Sequence, residues 1–94
     1  MPDVIWTRPA LEDLNRHFVF LKPKNPQAAR KAALLIQEAG NELGKIPHLG
    51  FAMDDNTGRR EYIKPFGAGA YILRYMLDGD TPVILRVWHS REKR

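Results

Sequence analysis

Tyr71-Ile72-Leu73-Arg74-Tyr75-Met76-Leu77-Asp78-Gly79-Asp80-Thr81-Pro82-Val83-Ile84-Leu85-Arg86-Val87-Trp88-His89-Ser90 is the stretch on which the fold turns. Two runs rich in β-branched, aromatic and aliphatic residues flank Asp78-Gly79-Asp80, a tight-turn sequence, so residues 71–77 and 83–90 read as the two arms of a hairpin. Side chains alternate between the faces of a strand. Tyr71, Leu73, Tyr75 and Leu77 therefore share one parity, as do Val83, Leu85, Val87 and His89; the opposite sets hold Arg74 and Met76, and Arg86 and Trp88. Both faces carry apolar residues, as expected when helices cover one side of a sheet and the other is left as a shallow open surface. The reading assigns Val83, Leu85, Val87 and His89 to the helix-covered side, and Arg74, Arg86 and Trp88 to the open one.

Working outward, residues 59–66 form a further strand, joined to the hairpin by Gly67-Ala68-Gly69, and residues 3–7 a short first strand. Pro9 suits a first helical turn, with Glu12 and Asp13 near the positive end of the helix dipole. A helix over 9–21 follows, with Leu11, Leu14, Phe18 and Leu21 as its apolar stripe. Pro23 ends it by pushing the preceding residue out of the α region. Asn25-Pro26 restarts a helix over 26–43, capped by Asn25 and closed by Gly44, with Ala29, Ala33, Ile36 and Leu43 on one face, Leu34 and Leu35 widening it, and Gly40 as a weak point. The turn-rich residues 46–58 are expected to be exposed and mobile. The resulting order is β-αα-βββ: an α+β domain over 1–94, a small antiparallel sheet with one face covered by an N-terminal αα-hairpin.

The 94 residues are 44% hydrophobic and 28% charged, the profile of an ordinary globular chain, with no apolar run near the ~20 residues of a membrane helix. Neither a signal segment nor a cysteine is present, so disulfides, thiolate nucleophiles and thiolate metal sites are excluded and a cytoplasmic location is expected. Of the net charge of +4, residues up to Asp80 contribute only +1, from 11 basic against 10 acidic residues. The last strand and tail hold the rest, which points to an anionic partner.

Several segments, in order, resemble the RelE/ParE toxin superfamily. They are Ala10-Leu11-Glu12-Asp13-Leu14, Asn25-Pro26-Gln27-Ala28-Ala29, Pro47-His48-Leu49-Gly50, Arg60-Glu61-Tyr62, Tyr71-Ile72-Leu73-Arg74-Tyr75 and Ile84-Leu85-Arg86-Val87-Trp88-His89-Ser90-Arg91. The Arg60-Glu61 pair, the Trp88-His89-Ser90-Arg91 ending and the lack of a tyrosine near the carboxyl terminus look more like the ParE branch, the plasmid-stabilisation toxins of type II toxin–antitoxin systems. The resemblance implies a toxin that inhibits DNA gyrase by binding and is neutralised by a ParD-like antitoxin encoded beside it. The RelE branch implies instead a ribosome-dependent messenger RNA endoribonuclease; a non-toxic, antitoxin-binding relative is the third alternative.

Arg60, Arg74 and Arg86 fall on three successive strands and are expected side by side, a patch suited to phosphate or carboxylate. With Trp88, Arg91 and Arg94 they form the expected recognition surface, facing target or antitoxin. No catalytic residue is expected in the ParE reading. In the nuclease reading His89 would supply acid or base and Arg74 and Arg86 would stabilise the phosphorane. His89 reads more simply as a structural strand-end residue, and Trp6, Tyr71 and Tyr75 as core. His17 and His48 lack ligand-spaced partners, so neither a metal nor another cofactor is expected.

Overall fold

The computed structural model describes residues 3–92 and has the expected α+β arrangement. Its elements are β1 (Ile5–Trp6), α1 (Arg8–Leu21), α2 (Pro26–Lys45), β2 (Phe51–Ala52), β3 (Arg60–Phe66), β4 (Gly69–Asp78) and β5 (Thr81–His89). The sheet order is β1-β5-β4-β3-β2. Strands β3, β4 and β5 form an antiparallel meander, while β1 lies parallel to β5 through Ile5↔Val83 and Trp6↔Ile84, so the sheet is mixed. The two-residue β2, which has no apolar alternation to announce it, adds an antiparallel edge to β3.

Local chemistry sets the helix ends. Thr7 caps α1, accepting from the Ala10 N–H at 3.3 Å, and its hydroxyl also donates to the Ile84 carbonyl at 2.8 Å, tying the helix start to β5. Lys22, before Pro23, keeps helical angles, so α1 stops because Pro23 has no N–H to donate rather than because its neighbour is distorted. Asn25 caps α2 as expected, accepting from Ala28 N–H at 3.1 Å. That helix runs through Gly44 and ends at Lys45. Ile46, immediately before Pro47, is the residue forced out of helical geometry, and its N–H still reaches the Glu42 carbonyl at 2.9 Å.

Both helices pack on one face of the sheet. Ala10, Ala32, Ile36, Ala39 and Leu43 meet Tyr71, Leu73, Tyr75, Ile84 and Val87. The alanines let α2 approach closely, and Gly40 is less a weak point than a contact: a Cβ there would sit inside van der Waals distance of the Trp6 indole and 3.3 Å from Ile84 Cδ1. The buried stripe of α1 is not the expected one. Leu11 is 50% exposed, whereas Ala10, Asp13 and His17 are buried, with Leu14 and Leu21 at the margin. Polar groups on β5 draw that face inward. Likewise Leu34 is 56% exposed and Ala32 and Ala39 take its place.

A second correction concerns β5. Arg74 pairs with Arg86 but Tyr75 pairs with Ile84, so Leu85 is an extra residue in a β-bulge. One inserted residue exchanges the faces of everything before it. Val87 and His89 keep the helix side, but N-terminal to the bulge it is Ile84 and Pro82 that are buried there, while Val83 and Leu85 are only partly covered. Trp6, Tyr71 and Tyr75 pack in or against the core as expected.

Residues 46–58 are exposed in part, with Ile46, Leu49 and Phe51 open to solvent, yet their first half is anchored. The buried Tyr75 hydroxyl donates to Pro47 O at 2.8 Å and accepts from Gly50 N–H at 3.0 Å. Any side chain at Gly50 would strike the Glu61 carbonyl, 2.6 Å from an ideal Cβ.

Gly40→Ala gains about 1 kcal/mol of helix propensity but overpacks the Trp6 contact at a cost of about 1 to 3 kcal/mol. The expected outcome is a lower urea midpoint at unchanged slope; a higher midpoint would show that the indole yields freely.

Candidate recognition surface and its supporting network

The side chains of interest are placed by β5, whose outer edge is paired with β1 only at Val83 and Ile84. Beyond that point the edge would expose unmet backbone groups, and α1 supplies the partners. Asp13 accepts the Val87 N–H at 2.9 Å and the His17 Nε2–H donates to the Val87 carbonyl at 2.9 Å. The two side chains, four residues apart on one helix face, thus substitute for a neighbouring strand.

Asp13 is the hub. Burial opposes its ionisation, but hydrogen bonds from Arg86, from Val87 N–H and from Arg16 outweigh that cost and hold its carboxyl below the ordinary aspartate value. Arg86 Nε and Nη2 reach its two oxygens at 2.7 and 3.1 Å, and Arg16 Nη2 adds a third cationic contact at 3.1 Å. The expected dipole role of Asp13 therefore yields to that of a buried acceptor. Burial lowers the His17 pKa, opposed by the Val87 carbonyl, so the ring is neutral with its proton on Nε2. Glu92 folds back from the chain end, accepting from His89 N–H at 2.9 Å and pairing with Arg16.

On the open face Arg74 and Arg86 are direct cross-strand neighbours, as expected. Both guanidiniums lie over Trp88, 4.6 and 5.0 Å from its ring centroid, leaving the indole 9% exposed. Like charges this close need counterions: Glu61, opposite Arg74 on β3, holds it at 2.8 and 3.0 Å, and Asp13 holds Arg86. The row Glu61–Arg74–Arg86–Asp13 thus sets two adjacent cations between two carboxylates across four elements.

Arg60 is not part of this patch. It pairs in register with Tyr75, so its side chain belongs to the helix side, where it bonds the Tyr75 hydroxyl at 3.3 Å, the His48 carbonyl at 3.1 Å and the Gly50 carbonyl. The counted strand positions are one residue out of phase, and Glu61 takes the place expected of Arg60. His89 also lies on the helix side, edge-on to Tyr71 at 5.2 Å, with its Nδ1 accepting from Arg91 N–H at 3.2 Å. The sheet therefore separates it from Arg74 and Arg86. Arg91 is exposed, its Nη2 donating to the Ala68 carbonyl at 3.3 Å, and Arg94 lies outside the described residues. Asp13 and His17 are the residues that sequence reasoning missed. Their signal was the i, i+4 spacing of two polar groups on the side of α1 that carries Ala10 and Leu21.

The family model described as the ParE toxin of the type II toxin–antitoxin system parDE matches residues 4–94. The chain belongs to the ParE toxin family. It is a type II toxin–antitoxin toxin of the wider ParE/RelE superfamily. Toxin RelE1 of Caulobacter vibrioides is 36% identical over 85 residues, spanning 90% of this chain and 89% of the relative. Toxin RelE3 of the same organism is 35% identical over 85 residues, with 90% of each chain covered. A chain of the chromosomal ParDE system of P. aeruginosa shares the fold at a TM-score of 0.73 and 24% identity, covering 93% of this chain and 94% of its own. A chain of the RelBE2 toxin–antitoxin complex of Mycobacterium tuberculosis superposes at 0.65 with 29% identity, covering 95% and 99%. Among the described residues of this ParE-family chain, no helix is long and apolar enough to cross a membrane.

Two outcomes test the network. Asp13→Ala strands Arg86 and the Val87 N–H together and is expected to cost about 3 kcal/mol or more in chemical denaturation. A loss below about 1 kcal/mol would show that β5 finds other partners. Because the folded His17 pKa is lowered, the unfolded chain binds the extra proton first, so its contribution is complete above pH 6.5 and is lost as pH falls toward the folded value. The thermal midpoint should fall on acidification below pH 6.5, and His17→Gln should flatten that slope.

Proposed function

We propose that this chain, working as a single domain in the cytoplasm, is a toxin that acts by binding DNA gyrase and is neutralised by a ParD-like antitoxin. The observation that carries the reading is the separation of His89 from Arg74 and Arg86 by the sheet. Cleavage of RNA through its 2′-hydroxyl needs a base, an acid and phosphorane stabilisation around one phosphate. Here the histidine is packed on Tyr71 on one side, while the arginines on the other are already held by Glu61 and Asp13. A surface of paired charges over a buried indole suits recognition of a protein. The antitoxin partner is supported by the ParDE and RelBE2 systems that share the fold, each of which couples a toxin with an antitoxin. A RelE-like endoribonuclease is the second reading, favoured by the names of the two Caulobacter relatives.

Brief expression in cells, with plasmid topology and gyrase-linked DNA breaks measured beside messenger RNA integrity, tests the proposal. Loss of negative supercoiling with intact messages is the expected result. Cleaved messages with normal supercoiling would replace it with the nuclease reading.

A further inference from the structure

On the helix side of the sheet, away from the Arg74–Arg86 surface, a groove of about 550 Å³ opens between the last turns of α1 and the ends of β4 and β5. Tyr71 forms its floor, held edge-on between His17 at 5.1 Å and His89 at 5.2 Å. Tyr71 is only 2% exposed, yet its hydroxyl bonds no described residue. Among the described residues no buried side-chain polar atom is left without a partner, so that hydroxyl must reach accessible space, in the groove that the residue lines. Burial raises its pKa, and Glu92 adds to the shift, leaving a neutral donor.

The walls are apolar and the rim is cationic. Phe20 presents a ring 62% exposed, with Leu21 beside it, and the Lys24 ammonium sits 4.0 Å from the Phe20 centroid. Arg16 and Arg91 stand at the rim; Glu92 answers Arg16, while Arg91 pairs with no carboxylate among the described residues. An exposed phenyl ring, a hydroxyl that opens on the groove without a protein partner and surplus positive charge are complementary to one kind of occupant.

We infer that this groove docks an acidic segment of the protein partner, which inserts one apolar or aromatic side chain between Phe20 and Tyr71 and sets a carboxylate on Arg91. A backbone or side-chain polar group of the same segment meets the Tyr71 hydroxyl. The inference rests on the antitoxin reading above and adds the place and chemistry of the contact. A nucleic acid would draw on the same rim charge and could stack a base on Phe20, but would leave the aliphatic Leu21 without an apolar counterpart.

The test is titration of the full chain with the antitoxin encoded beside it, for wild type, Phe20→Ala, Arg91→Glu and, as a control on the other face, Phe51→Ala. Each variant is first shown by circular dichroism and thermal melting to fold like wild type. Phe20→Ala and Arg91→Glu are expected to weaken binding by about tenfold or more, and Phe51→Ala by less than about threefold. Wild-type affinity in both groove variants, with the wild-type complex intact, would overturn the inference and leave the antitoxin reading standing. Failure of the wild-type chain to bind would overturn that reading and the inference with it. Loss of single-stranded RNA binding in the groove variants at unchanged antitoxin affinity would assign the groove to nucleic acid instead.

Discussion

Everything in this fold depends on how the outer edge of β5 is satisfied. The strand runs through Thr81–His89, but β1 covers only its first half, and an unmet backbone N–H or C=O against a packed helix costs about 1 to 3 kcal/mol. Thr7, Asp13 and His17 meet that need in sequence along the edge, at Ile84 and Leu85, at Val87 N–H and at Val87 C=O. These contacts fix the rotation of α1. They explain why its inner stripe contains a carboxylate and an imidazole while Leu11 faces solvent.

The same constraint shapes the surface available to partners. An aspartate buried at the strand edge requires a cation, and Arg86 reaches it from the open face; Arg74, left beside a like charge, is balanced by Glu61. The result is a locally neutral row over Trp88, not the bare positive patch that three strand arginines suggest. Arg60 is spent on anchoring the segment around Pro47 and Gly50, which also engages the Tyr75 hydroxyl. Surplus charge is then found at the end of α1 and after β5, around the groove floored by Tyr71, so the helix side of the molecule is the more electropositive place for an acidic chain to settle.

Membership of the ParE family accounts for the fold and for the class of protein, while the distribution of charge says which face can do what. Arg74 and Arg86 are preorganised by their counterions, so their geometry is set before any partner arrives; this favours specific recognition of a protein surface over bulk attraction to a polyanion. His89, packed edge-on against Tyr71, belongs to the opposite side and to its chemistry.

Local physics made much of this legible from residues alone. Asn25-Pro26 started a helix, Pro23 ended one, Asp78-Gly79-Asp80 turned a hairpin, and alternation separated Arg74 and Arg86 from Tyr71 and Leu73, because caps, turns and parity depend only on neighbours in the chain. Three features depended on contacts distant in sequence and were decided by the tertiary structure. The bulge at Leu85 exchanged Ile84 for Val83 and Leu85 on the core side, since one unpaired residue reverses a strand's faces without altering its composition. Registry with Tyr75 turned Arg60 away from the patch. Asp13 and His17, polar residues that composition places at the surface, were drawn inside because a strand edge 70 to 74 residues along the chain had a donor and an acceptor to satisfy.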